Sequence, residues 1–590
     1  MLDPRIYRMG LIPVILAVIV LAFSLDDQQA GLTTNLAPDA FIGGNAYATM
    51  NTLAAQYPQR RPGSVGDASL AAYVAGQLRT DGFNTSTETF SASTADGTRT
   101  LENVTGVRAG LGSGTIVVVS HRDALTSPAK ANLSGTAVML ELGRVLSGRG
   151  QQHSIVLAST TGSVGAAGAR RLAATLPQPV DAVIVLGDLA GTRVREPVVV
   201  PWSDGQRVAP SMLRNTVGAA LGTETGLPAG TDGLAGQFAR LSVPITSTEQ
   251  APFNAAGEPA VLLSLSGELG PRPDQPTSRT QISVLGRTVL RTLTALDTGR
   301  PVPGPASYLV WNGKLIPAWA IRLLVLFLIL PVVGATIDGL ARARRHAESV
   351  LGGALWVLSA ALPFALAAGL VLGAGRAGLL GAAPGAPLGA AGVAMHAGGI
   401  AVLVVAVLLI AGGLRWLWPA LSPAMAPGRG RSASADGEGG RAAGLLLVLC
   451  LVSLAIWVAN PFAAALLVPG LHLWMWIVVP DVRVPRPVAV VLLVLGLAAP
   501  ILVGLYPAVE FGLGPVAGVW HWMLALGGGV VSPLWAIEWS IVAGCVVSVI
   551  ALVAGPARRT QPEEAPVTIR GPVTYAGPGS LGGTKSALRR

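Results

Sequence analysis

The residues with the types and spacing for chemistry gather mainly around one stretch, GTIVVVSHRDALTSPAKANLSGTAVMLEL, Gly114 to Leu142. It reads as a buried strand ending on His121 and Asp123, followed by Ser134-Gly135, which opens an apolar helix. A His-x-Asp at the carboxyl end of a strand is a pattern from which zinc sites are built, because imidazole and carboxylate are good ligands for that ion. Further along, where another carboxylate would complete such a site, stand Ala131 and Asn132. Thr160 and Asp188 end two later apolar runs and share the expected placement of His121.

These residues need a sheet to hold them. Short β-rich runs recur at 115–120, 153–159, 181–187, 196–201 and 258–265, with helical patterns at 69–83 and 135–148 between some of them. Apolar strands alternating with amphipathic helices predict a doubly wound α/β domain with a mainly parallel sheet. Sites in such sheets form at the carboxyl ends of the strands. The stretch GSVGDAS, 63–69, reads as the turn that leads into a helix rather than a serine-nucleophile elbow, and no Gly-x-Ser-x-Gly lies near a candidate base.

Composition sets the wider frame. Half of the 590 residues are hydrophobic (51%) and 12% are charged, against about 25% for a soluble domain, which points to a membrane protein. The net charge of +10 is scattered or placed beside apolar segments, so it orients spans rather than marking a nucleic-acid surface. Both cysteines, Cys450 and Cys545, lie in apolar runs, so no disulfide framework or thiolate metal site exists in the polar region.

The domain reading is an N-terminal signal anchor over 1–25, an extracytoplasmic α/β domain over 26–305, a membrane bundle of about seven helices over 316–556, and a disordered cytoplasmic tail over 557–590. A cleaved signal peptide is the alternative for the first segment. Spans are expected near 317–340, 351–373, 390–413, 442–459, 461–479, 488–508 and 534–555, with 514–531 re-entrant or flat. Basic residues at 342–348, 428–441 and 481–487, with Arg5, Arg8 and the tail, belong on the cytoplasmic side and favour eight spans in all over nine. Ionisable residues in or near the spans are Asp338, Glu510, Glu538, His396, His472 and His521, of which Glu538 and His396 are the candidates to line a polar path.

The order of RRPGSVGDASLAAYVAGQLRTDGF, VVVSHRDAL, ANLSGTAVMLELGRVL, GSVGAAGARRL, VLGDLAG and EQAPFNAAGEPAVLL resembles the co-catalytic di-zinc aminopeptidases and the glutamate carboxypeptidase group, over about residues 55–300. The resemblance implies an aminopeptidase-like fold and five zinc ligands with a catalytic glutamate. Matched residue by residue, His121 takes the first ligand and Asp123 the carboxylate that orients it. Ala131, with Asn132 beside it, falls on the bridging aspartate, Gly162 and Ser163 on the paired glutamates, Asp188 on the fourth ligand and Gln250 on the last histidine. Between 26 and 305 the only histidines are His121 and His153.

The metal site is therefore read as degenerate. No cofactor is expected, a single weakly held zinc on His121 and Asp188 being one alternative. The remnant cleft comprises His121, Asp123, Asn132, Thr160, Asp188 and Gln250. It is read either as an organic-ligand site touched by Gln250 and Thr160, or as a His121–Asp123 hydrogen-bonded pair with Asp188 capping a turn. The layout also resembles the large peptidase-like subunit of the GPI-anchor transamidase. The functional expectation is a multi-pass cell-membrane protein that binds or scaffolds a peptide or lipid-linked substrate for partner membrane proteins. A diverged membrane metallopeptidase or amidase, and a transporter with a peptidase-like receptor domain, are the alternatives.

Overall fold

The computed structural model describes residues 4–94, 96–148, 150–246, 248–380, 395, 397–421, 438–478 and 484–554. The chain begins with helix α1 (Pro4–Phe23), the short strand β1 (Asp26–Asp27) and helices α2 (Gly43–Gln56) and α3 (Val65–Thr80). Strands β2 (Asn84–Thr94) and β3 (Gly97–Arg108) form a hairpin. Strand β4 (Thr115–His121), helix α4 (Ser134–Ser147), strand β5 (Ser154–Thr160), helix α5 (Ala167–Thr175) and strand β6 (Val180–Leu186) then alternate as the sequence pattern requires. They are followed by β7 (Val199–Val200), α6 (Ser211–Thr225), α7 (Leu234–Ser242), α8 (Ala251–Ala256), β8 (Ala260–Leu263) and α9 (Arg279–Thr298).

The sheet runs β2-β3-β5-β4-β6-β8-β7. Its centre, β5-β4-β6-β8, is parallel, while β3 and β7 pair antiparallel at the flanks. The chain leaves β4 toward β5 on one side and returns to β6 on the other, so the carboxyl end of β4 is the topological switch point. Strand residues alternate between two cores. Ile116, Val118, Leu157 and Ile184 pack with α2, α3, α4 and α9 residues, whereas Val117, Val119, Val156 and Val185 face the opposite side.

Two differences from the sequence reading have plain causes. The β2–β3 hairpin is polar (NTSTETFSAST in β2) and carries no apolar run to announce it. The expected strand at 196–201 shrinks to Val199–Val200, because Pro197 and Pro201 offer no N–H to a ladder.

A hairpin of β9 (Tyr308–Trp311) and β10 (Lys314–Pro317) leads into the helical region, and β1 pairs with β10. The helices are α10 (Ala318–Arg345), α11 (Val350–Arg376), α12 (Ala397–Leu421), α13 (Glu438–Ala459), α14 (Pro461–Ala465), α15 (Val468–Val478), α16 (Arg486–Glu510), α17 (Pro515–Gly527) and α18 (Pro533–Ala554). Among the described residues seven segments are long and apolar enough to cross a membrane, with α14 and α15 together making one of them. The expected span at 461–479 is thus two helices, since Pro469 cannot donate to a continued helix and instead begins a new one. At 514–531 the structure has only the 13-residue α17, too short to span.

Helix α1 packs along α10, where a side chain at Gly10 would collide with Pro331. His396, part of the expected basic loop at 428–441 and the tail at 557–590 lie outside the described residues.

The core on one face of the sheet continues without a break into the helices. Val119, Trp202, Leu241, Phe253, Tyr308, Ile321, Phe462 and Trp474 belong to one buried cluster. Asn460 fastens the junction: its Oδ1 accepts from the Phe462 and Ala463 amides at the start of α14, and its Nδ2 donates to the Leu241 and Ser242 carbonyls at the end of α7.

Candidate functional site

The switch point holds a dense set of buried charged groups. His121 is the last residue of β4, in register with Thr160 at the end of β5. Its side chain is 16% exposed, and Nδ1 lies 3.2 Å from Oε2 of the buried Glu249. The other Glu249 oxygen accepts from Thr160 Oγ1 at 2.6 Å. Among the described residues Nε2 of His121 has no hydrogen-bond partner. Burial alone would lower the imidazole pKa, but the hydrogen bond and charge of Glu249, with the charge of Asp123, outweigh it and hold it above its ordinary value.

Asp123 is fully buried and accepts from the Ser163 amide (3.2 Å) and hydroxyl (3.0 Å). Burial above all, with the charges of Asp67 and Glu249 and against that of His121 and the Ser163 hydrogen bond, raises its pKa to about 6. The expected His121–Asp123 hydrogen bond is therefore replaced by two others, His121 with Glu249 and Asp123 with Ser163. Ser163, which the sequence resemblance sets against one of the paired glutamates, here supplies two donors to Asp123.

Two arginines form the floor. Arg122, between His121 and Asp123, points to the other side of the strand end, where its Nε lies 2.8 Å from Asp67 Oδ1. Arg60 donates to the carbonyls of Tyr57, Arg122, Pro128 and Ala129. Burial lowers the Arg60 pKa to about 10, against the charges of Asp123 and Asp67. Asp67 also accepts from Thr161 Oγ1 at 2.7 Å, and its amide donates to Ser64 Oγ, the N-cap of α3, which makes 63–69 a helix-initiating turn.

Asp188 behaves differently. Its Oδ1 accepts from the amides of Ala190 (3.1 Å) and Gly191 (2.8 Å), and its Oδ2 from Ser266 Oγ (2.6 Å) and Gln275 Nε2 (3.0 Å). The carboxylate caps its own turn, and a Cβ at Gly191 would stand 2.2 Å from Oδ2. Gln250 is turned away from the cleft as well: Nε2 donates to the Trp202 carbonyl at 3.0 Å. Its Oε1 and Asn132 Oδ1 are buried with no partner among the described residues.

Ser134 and Gly135 are structural. Ser134 Oγ accepts from the Leu189 amide, and Gly135 lets α4 approach the end of β6, where a Cβ would meet the Leu186 oxygen at 2.6 Å.

Among the described residues no group of three or more His, Cys, Asp or Glu is arranged to hold a metal ion. Asp188 has four protein donors around it, and Ala131 and Gln250 supply no anionic ligand.

Sequence reasoning passed over Glu249, although it was a visible signal: a carboxylate directly beside the aligned Gln250, with only Asp232 as a second acidic residue between Gly226 and Gly257. In the helical region, Glu538 is buried in α18 and His521 in α17, and neither has a hydrogen-bond partner among the described residues.

The class of protein is thus an α/β domain with a mostly parallel central sheet, joined through a shared core to a bundle of membrane-length helices. No protein-family model and no curated protein matches the chain. Among solved structures it is similar to an Acidobacteriales bacterium glutaminyl cyclase (20% identity, TM-score 0.37, 46% of this chain and 99% of that one). It is also similar to a zinc aminopeptidase from Bacillus subtilis (14%, 0.36, 43% and 95%) and an aminopeptidase from Aneurinibacillus sp. strain AM-1 (14%, 0.37, 45% and 96%). Likenesses at this level transfer no activity, metal or ligand to this chain.

Proposed function

We propose that this is a membrane-anchored, peptidase-like binding protein, whose cleft at the end of β4 holds a peptide or lipid-linked substrate for partner membrane proteins without a di-zinc centre. The observation that carries the reading is the state of the carboxylates at the strand ends. Asp188 is closed into a turn, Asp123 is bonded to Ser163, and Glu249 is shared between His121 and Thr160. A metal would have to displace these donors, each an interaction that is expensive to leave unmade in a buried site.

One observation favours a second reading. The Glu249 carboxylate on Nδ1 leaves Nε2 of His121 without a hydrogen-bond partner among the described residues, an arrangement suited to metal-free proton transfer in a diverged amidase.

The test is metal analysis of the full-length protein in lipid nanodiscs after incubation with zinc, together with hydrolysis of aminoacyl and dipeptide substrates. Substoichiometric zinc and no turnover are expected. Tightly bound stoichiometric zinc with turnover abolished by His121→Ala would overturn the proposal, and chelator-resistant turnover lost in the same variant would establish the second reading.

A further inference from the structure

A short segment, the end of α7 and the chain after it, runs from the helical bundle to the cleft. Arg240, near the end of α7, is buried, yet its guanidinium is surrounded by acids from both regions. From the α/β domain come Asp232 at 3.1 Å and Glu268 at 2.7 Å, and from the last residue of α16 comes Glu510 at 3.7 Å. Two aromatic faces cover it, Trp202 at 5.4 Å and Tyr506 of α16 at 5.8 Å. A second cation, Arg195, reaches Glu510 at 3.8 Å and also donates to its carbonyl, at the negative end of the α16 dipole.

The chain after Arg240 is gripped by the bundle before it reaches the cleft. Val243 and Ile245 pack with Ala525, Val531, Trp522 and Trp535 of the α17–α18 region. Thr246 then donates to Glu268 Oε1 at 2.7 Å, while the other oxygen of that glutamate pairs with Arg240. Three residues further on, Glu249 makes both of its contacts, with His121 and Thr160. Glu268 follows β8 and Arg195 follows β6, so the carboxyl-terminal edge of the sheet, which carries the cleft, is the edge tied to α16.

We propose that Arg240 is a positioning residue through which the end of α16 sets the place of Glu249, so that a change in the bundle is felt at His121. The proposal rests on the cleft assigned above to His121, Glu249 and Thr160. Removing the Glu510 charge takes from Arg240 its ion pair with α16, leaving Tyr506 as its contact from that helix, and so weakens the α16 hold on the segment, while every residue of the cleft stays in place.

The experiment uses the full-length protein in nanodiscs, with two readouts. One is amide hydrogen exchange in the peptide Arg240–Thr246; the other is the rate at which diethyl pyrocarbonate modifies His121, with His153 as an internal reference. Glu510→Gln is expected to speed exchange in that peptide several-fold and to raise His121 modification at least threefold, with His153 and the unfolding midpoint unchanged. Glu510→Asp should restore both towards wild type. Glu249→Gln, which breaks the contact directly, should raise His121 modification without altering exchange at Arg240–Val243. If Glu249→Gln exposes His121 and Glu510→Gln does not, the coupling is overturned and the cleft stands. If Glu249→Gln leaves His121 unchanged, the cleft reading falls and the coupling falls with it.

Discussion

The carboxyl ends of β4 and β6 are neighbours in the sheet, and each ends at or near a residue, His121 or Asp188, that the sequence marks for a metal. They do opposite things. Asp188 is sealed, with both oxygens filled by the turn that follows and by Ser266 and Gln275. His121 is held from behind by Glu249, and Nε2 stays without a protein partner among the described residues. Strand-end placement therefore provides an opportunity for chemistry, and the loops that return to the strand end decide whether it is used.

The sharpest way to break this comparison is to remove each group in turn. Asp188→Ala orphans two buried amides and two side-chain donors, and is expected to destabilise the protein by about 3 kcal/mol in unfolding experiments. A loss near zero would mean that the turn does not depend on the carboxylate. His121→Ala removes one hydrogen bond, that with Glu249, whose other oxygen keeps Thr160, so a loss of about 1 kcal/mol is expected by the same measurement. Equal effects from the two variants would erase the distinction between a sealed end and an open one.

A further effect is one of pH, and it concerns Asp123 beneath His121. In the folded protein its carboxyl keeps a proton up to about 6, whereas an unfolded aspartate releases it near 4. Between those values the native state binds more protons, so this group makes stability fall as pH rises through that window. Asp123→Asn should flatten the slope between pH 4 and 6 when unfolding midpoints are compared, and a slope as steep as in wild type would assign the effect to another group.

Much of the architecture was legible because it follows from patterns that local chemistry enforces. Continuous β-branched runs such as TIVVVS and DAVIVLG can only be strands buried on both faces, and seven long apolar segments are committed to helices. The polar β2–β3 hairpin was not legible, because its stability comes from pairing along β5 and not from an apolar face of its own. The break between α14 and α15 was present in the sequence as Pro469 but masked by the apolar run around it.

The candidate site divides in the same way. The sequence by itself determined where His121, Asp123, Thr160 and Asp188 would lie, since each stands at or just beyond a strand end. Only the tertiary structure decided which partners those residues have. Glu249 reaches His121 from 128 positions away along the chain, Arg122 turns beneath the strand to Asp67, and Glu510 enters the Arg240 cluster from the membrane-length helix α16. The physical reason is range: strand and helix formation are set by neighbours a few residues apart, whereas the pairing of buried charges depends on which distant segments the shared core brings into contact.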